Sequence, residues 1–248
     1  MDRRPILTID RVQKNFGGLV VLDGVSFEAF SDETLCLIGP NGAGKTTLFN
    51  IIAGALPPSA GRIRLDGRDI TRFKPHVRCR MGIARTFQIP QPFAALSVLE
   101  NVEVALEFGR RGGRGSDVVQ ARALLERARL TRWMHALAAE LPLGARKRLE
   151  LVRALATEPR VILLDEVMGG LSPEEVDEVA AIVHGLKAEN VGVIFVEHVL
   201  RAVMSIADRI IVLHGGRLIA DAAPAEVSRD PAVIEAYLGG ALDAAAQP

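Results

Sequence analysis

The sequence predicts an α/β fold, a mainly parallel sheet with helices on both faces, and three features point to it. After residue 145, strand-like apolar runs alternate with helical stretches, the order that βαβ units produce. Early in the chain an apolar run over 35–38 feeds a glycine-rich turn and then a helical segment. Hydrophobic residues make up 49% of the 248, enough to bury a sizeable core. That length suits one large domain or a domain with a helical insert.

Taken in order, residues 6–9 and 25–28 read as strands, and 35–38 as a buried strand entering the turn. A helix follows over 48–53, then strands over 61–65 and 82–87, the last running into a polar, proline-rich stretch. The middle of the chain has helical spacing over 97–108 and 117–130, with Leu124, Leu125, Ala128 and Leu137 as candidate core positions. Between these lies a basic turn carrying Arg110, Arg111 and Arg114, read as a solvated loop. Beyond 145 come a helix over 148–157, a strand over 161–164 and a helix over 173–189 with proline near its first turn. Strands over 193–196 and 210–213 complete the alternation, and the alanine-rich 241–248 reads as a flexible tail.

Thirty basic residues balance thirty acidic ones, which argues against a free-standing nucleic-acid binder. The two cysteines, Cys36 and Cys79, lack metal-ligand spacing, and Cys36 sits in an apolar run as a small core residue. The first residues lack the apolar region of a signal peptide, and no apolar stretch approaches the roughly 18 residues that span a bilayer. Any membrane role is therefore expected to be peripheral.

Two motifs carry chemistry. Gly39-Pro40-Asn41-Gly42-Ala43-Gly44-Lys45-Thr46 matches G-x-x-x-x-G-K-[ST], the phosphate-binding loop, and Thr47 follows it. The glycines let backbone N–H groups converge on phosphates, Lys45 supplies a point charge, and the Thr46 hydroxyl can ligate Mg²⁺. The helix that starts there aims its positive end at the anion. Farther on, the apolar strand over 161–164 ends in Asp165-Glu166. Neighbours on a strand point to opposite sides, so Asp165 is placed to support Mg²⁺ and Glu166 to orient an attacking water. Together the motifs predict binding and hydrolysis of ATP with Mg²⁺.

The order of phosphate loop, Gln88 after a strand, Leu141-Pro142-Leu143-Gly144-Ala145, the Asp-Glu pair and His198 resembles ABC ATPase domains. The likeness covers roughly 5–239. Within the family, residues 82–88, Glu197-His198-Val199-Leu200 and Ala236-Tyr237-Leu238-Gly239 look like the ATP-binding subunits of branched-chain amino acid importers. The resemblance implies a P-loop NTPase core, an N-terminal antiparallel β subdomain and a helical insert over about 90–150, all within a single domain spanning 1–240. It implies that Gln88 bridges Mg²⁺ or water to the membrane partner, and that His198 contacts the γ-phosphate. It also implies that Phe16 stacks on adenine, although an ordinary core position suits Phe16 equally. His76, His135, His184 and His214 match no motif and read as surface or packing residues.

In such domains Leu143 and Gly144 lie in the signature loop, which closes over the γ-phosphate held by a second subunit. Here Pro142 stands where serine is usual and Ala145 where glutamine is usual, while Val167 replaces a common proline and Ser172 a common aspartate. Losing a hydroxyl to a charged phosphate removes about 1.5–3 kcal/mol of bonding. The expectation is a heterodimer with a related ATPase subunit in preference to a homodimer, with unequal hydrolysis at its two sites. Partners implied are membrane-spanning permease subunits and, indirectly, a solute-binding protein, with the chain at the cytoplasmic face of the membrane. The resemblance favours import of branched-chain or related amino acids. A lipopolysaccharide-type exporter ATPase and a soluble ABC protein of DNA repair or the ribosome are the alternatives.

Overall fold

The computed structural model describes residues 4–109, 117–198 and 200–237, omitting side chains at 200–202. The basic turn around Arg110 and the 241–248 tail lie outside the described residues. Two sheets organise the fold. The first is antiparallel, in the order β2-β1-β4-β5, built from β1 (Leu7–Phe16), β2 (Leu19–Ala29), β4 (Ala60–Leu65) and β5 (Arg68–Asp69). The second runs β10-β9-β3-β8-β7-β6, from β3 (Thr34–Ile38), β6 (Ile83–Arg85), β7 (Val161–Asp165), β8 (Gly192–Val196), β9 (Arg209–His214) and β10 (Arg217–Ala222). All its pairings are parallel except β9 with β10.

The central strands are apolar throughout because both faces are covered. On β3, Leu35 and Leu37 enter a core shared with the antiparallel sheet and with α1 (Lys45–Ala53), while Cys36 enters the opposite one. The same alternation runs along β7, with Val161 and Leu163 on the first side and Ile162 and Leu164 on the second. The second core is closed by α3 (Val98–Gly109), α4 (Val118–Arg127), α5 (Leu143–Leu155) and α6 (Pro173–Ala188). The region expected as a helical insert thus packs on the sheet through the same core.

Helix ends follow local chemistry. Asp117 caps α4, its Oδ1 accepting from the N–H groups of Val119 (2.9 Å) and Gln120 (3.3 Å). The expected helix over 117–130 stops at Arg127. Arg129 turns left-handed (φ 53°), and the Leu130 N–H returns to Leu125 O at 2.8 Å. Short 3₁₀ turns at Thr131–Trp133 and Ala138–Glu140 then break the helical period. Leu137, expected in the core, is therefore 44% exposed, whereas Leu125 and Ala128 are buried and Leu124 packs against the core edge. Ser172 caps α6 in a reciprocal capping box with Glu175, a local reason for a short polar residue there.

Five further elements had no counterpart in the sequence reading: β5, α2 (Pro75–Met81), α7 (Leu200–Ile206), β10 and α8 (Pro224–Val227). Residues 231–237 form a last helical segment. The expected strand over 82–87 shortens to β6, because Gly82 instead closes α2 in a left-handed conformation. No helix among the described residues is long and apolar enough to cross a membrane.

Candidate functional site

Parallel strands deliver their C-terminal ends to one edge of the sheet, and the predicted chemistry gathers there. β3 ends in Ile38 and releases the phosphate loop. At Gly39 (φ 153°) an added β-carbon would overlap the Leu213 carbonyl oxygen of β9, so only glycine fits. Gly44 is left-handed at the N-cap of α1 and supplies no side-chain cap, leaving the first-turn N–H groups for an external acceptor. Lys45 Nζ curls over the loop, donating to Gly39 O (2.6 Å) and Pro40 O (2.9 Å). Burial lowers the affinity of that amine for its proton, and the Glu166 charge partly restores it. Thr46 and Thr47 stand on the same first turn, Thr46 exposed and Thr47 half-buried.

The acidic pair separates by a route that strand alternation did not anticipate. β7 ends at Asp165, which is 6% exposed, and Glu166 leaves the strand in a left-handed conformation (φ 48°). Asp165 Oδ2 accepts from Arg85 Nη2 at 2.9 Å, and Arg85 also holds Asn50 of α1. The Asp165 N–H donates to Thr86 Oγ1 at 3.1 Å. Glu166 Oε2 accepts from Gln88 Nε2 at 2.6 Å, and His198 Nδ1 stands 3.9 Å from Glu166 Oε1. Gln88, Glu166 and His198 thus converge although they lie on three separate segments.

Glu166 is held from behind as well. Its N–H donates to Val196 O (3.0 Å), and its carbonyl accepts from Lys147 Nζ of α5 (2.8 Å), which also reaches Gly169 O (2.5 Å). Beside it the buried Glu197 accepts from the Met168 N–H at 2.6 Å, and burial pushes its carboxyl above the usual carboxylate range. Sequence reasoning missed Arg85, Asn50, Lys147 and Glu197 as parts of the site. Arg85 and Glu197 fell within segments that carry the family resemblance, and nothing in the sequence singled out Asn50 or Lys147.

Lys45, Glu166 and His198 border one cavity of about 600 Å³, whose other wall is apolar and includes Ile210, Val233 and Tyr237. Phe16, Leu143 and Gly144 are not among its bordering residues. Phe16 is 49% exposed at the end of β1, under the Lys14 amine (4.9 Å to the ring centre), which removes the core reading. Leu143 and Gly144 open α5, which starts five residues before the expected 148 with Pro142 as N-cap. An added β-carbon at Gly144 would overlap the Glu175 carboxylate.

The donor set suits a small hard cation. Thr46 offers a hydroxyl, Asp165 a carboxylate and Gln88 an amide oxygen, since its nitrogen faces Glu166. No cluster of three His, Cys, Asp or Glu that could hold a metal occurs among the described residues. Mg²⁺ takes one or two carboxylates and completes its shell with phosphate and water, a demand that one carboxylate, one hydroxyl and one amide oxygen can meet.

Comparison with known proteins gives concordant matches. The family model "ABC transporter" matches residues 22–169, and that of the "Branched-chain amino acid ATP-binding cassette transporter" matches 217–243. The high-affinity branched-chain amino acid transport ATP-binding protein BraF of Pseudomonas aeruginosa is 38% identical, covering 96% of this chain and 99% of its own length. LivG of Escherichia coli, described in the same terms, is 35% identical over the same shares. Among solved structures, the ADP conformation of MJ1267, an ATP-binding cassette of an ABC transporter, superposes with TM-score 0.85 at 34% identity. That match covers 95% of this chain and 99% of the other.

Proposed function

The chain belongs to the ABC transporter ATP-binding family and hydrolyses ATP to drive transport, and from that premise we propose that it energises import of branched-chain or related amino acids. The observation that carries the solute class is the match over 217–243, because that segment lies outside residues 22–169, which the general ABC transporter model matches. Near-complete mutual coverage with BraF supports the same reading. Neither match favours a lipopolysaccharide exporter or a soluble repair protein.

In the proposed site, the backbone of Gly39, Asn41, Gly42, Ala43 and Gly44, with Lys45, Thr46 and Thr47, binds the phosphates. Phe16 stacks on the adenine. Thr46, Asp165 and Gln88 would hold Mg²⁺, which when bound offsets phosphate charge. Glu166 accepts a proton from, and orients, the attacking water; Gln88 at 2.6 Å keeps its carboxylate aimed, with the His198 imidazole 3.9 Å away. His198 also meets the γ-phosphate.

The domain reading, one unit over 1–240 with a helical insert over about 90–150, accompanies this function. The chain would sit at the cytoplasmic face, against permease subunits and a second ATPase. Pro142 and Ala145 support a heterodimer, since they thin the donors that the Leu143-Gly144 segment offers to the opposite nucleotide. Affinity purification of the tagged chain from native membranes tests the assembly, and uptake of labelled leucine by proteoliposomes of the recovered complex tests the solute. Recovery of two permease subunits, a different ATPase chain and ATP-dependent leucine uptake is expected. Lipid export without amino-acid uptake would overturn the solute class, and recovery of this chain as the only ATPase would overturn the heterodimer.

A further inference from the structure

We infer that Lys147 is a positioning residue for hydrolysis, holding the Glu166 carboxylate in its working direction through the backbone that follows β7. The inference rests on the reading of Glu166 as the group that orients water. Lys147 stands on the second turn of α5 and is 8% exposed, unusual burial for a lysine. Its ammonium donates to two carbonyls of one short segment, Glu166 O at 2.8 Å and Gly169 O at 2.5 Å.

That segment needs holding. Glu166 is a non-glycine residue at φ 48°, a conformation that persists where the surroundings over-determine it. Its N–H is fixed on Val196 O and its carbonyl on Lys147, so both peptide planes flanking the carboxylate-bearing carbon are pinned. Two residues on, the Met168 N–H is fixed by Glu197 Oε1 at 2.6 Å. A buried cation thus grips the carbonyls of Glu166 and Gly169, and a buried anion grips the Met168 N–H between them. Gly169 brings the grip to the catalytic edge, since a β-carbon there would lie 3.4 Å from His198 Cε1 and 3.7 Å from Lys147 Nζ.

The clamp has a consequence for coupling. Lys147 lies just behind the Leu141–Ala145 segment on the same helix, so a shift of α5 pulls on the Glu166 carbonyl and re-aims its side chain. Removing a lysine that served stability alone would lower the melting temperature and leave turnover per folded molecule unchanged.

The test is steady-state ATPase and ATP binding of the full-length chain carrying K147M, K147R, E166Q and E166Q/K147M. K147M should lower kcat by about 10- to 100-fold, the range for misplacement of about 1 Å, with KM and ATP affinity within about twofold. K147R, whose guanidinium can span two carbonyls, should recover most of the loss. In the E166Q background, K147M should leave the residual rate unchanged, because it acts only through that carboxylate. If K147M does not fold, K147Q takes its place in the same comparison. Wild-type kcat in the folded variant, or an equal proportional loss in the E166Q background, would overturn the inference. Wild-type turnover by E166Q would remove its premise instead, a distinct result read from that variant alone.

Discussion

Replacing Arg85 with leucine uncovers the Asp165 carboxylate, and the structure sets the size of the effect. The guanidinium and carboxylate lie 2.9 Å apart, with side chains 12% and 8% exposed. At an effective dielectric of about 20 their attraction is about 5–6 kcal/mol, much of it offset by desolvation of both groups. The pair therefore contributes little net stability, but removing one partner strands a buried charge and costs about 3–5 kcal/mol. For a chain of this size that lowers Tm by about 6–20 °C. The Arg85 link to Asn50 on α1 is lost as well, about 1 kcal/mol.

The assay is thermal unfolding in EDTA without nucleotide, comparing wild type, R85L, N50A and R85L/D165N. Neutralising Asp165 removes the stranded charge, so the double variant should recover more than half of the R85L loss. Mg-ATP should raise the Tm of R85L by more than that of wild type, because a cation beside Asp165 substitutes for the missing guanidinium. Equal unfolding temperatures for R85L and R85L/D165N would refute the electrostatic account and leave packing as the cause.

Three further outcomes are expected. G39A places a β-carbon on the Leu213 carbonyl, so the phosphate loop must move; ATP affinity should fall at least about tenfold, about 1.4 kcal/mol, in a fluorescent-nucleotide titration. R78M deletes a guanidinium that is 1% exposed and donates to Ile51 O, Ile52 O (both 2.7 Å), Thr71 O (2.8 Å) and Phe73 O (3.0 Å). Orphaning those carbonyls should cost about 3 kcal/mol or more by urea denaturation, with R78K recovering only part. F16A should raise KM for ATP about tenfold with kcat preserved, consistent with about 1–3 kcal/mol for stacking on a base, and F16W should restore it.

How much of this was legible in the sequence depended on where the information lay. The buried strands were, because covering both faces forces continuous apolar runs at 35–38, 161–164 and 193–196. The glycine-rich turn after β3 was too, and at Gly39 and Gly44 neighbouring atoms occupy the place a β-carbon would take. By contrast α2 has only Arg78 buried, so no apolar stripe announced it. β10 is an edge strand without fully buried positions. The first turns of α5 were missed because Arg146-Lys147-Arg148 is a run of basic residues with no apolar stripe to mark a helix. In the fold Lys147 is buried on carbonyls and Arg148 on Glu178. Arg85, Asn50 and Lys147 come from three separate elements and Glu197 from the segment after β8. The sheet order β3-β8-β7-β6, which does not follow chain order, makes them neighbours.

That same order bears on what the altered Leu141–Ala145 segment can do. α5 begins at Leu143, and its N-cap, Pro142, offers no side-chain acceptor or donor. Its first-turn N–H groups would favour an anion, yet the Glu175 carboxylate already lies against Gly144. An incoming phosphate would meet the helix end with a carboxylate beside it and without the usual hydroxyl, and both differences weaken its hold. Inward, the helix keeps Lys147 on the Glu166 backbone, and the chain's own phosphate loop departs from its pattern nowhere. Under the proposed role of the Leu141–Ala145 segment, the substitutions fall on the surface that would meet a second nucleotide and leave this chain's own phosphate loop unaltered. In the proposed heterodimer, the nucleotide on this chain's phosphate loop would be completed by the other subunit's segment. The opposite nucleotide, facing Pro142 and Ala145, would turn over more slowly.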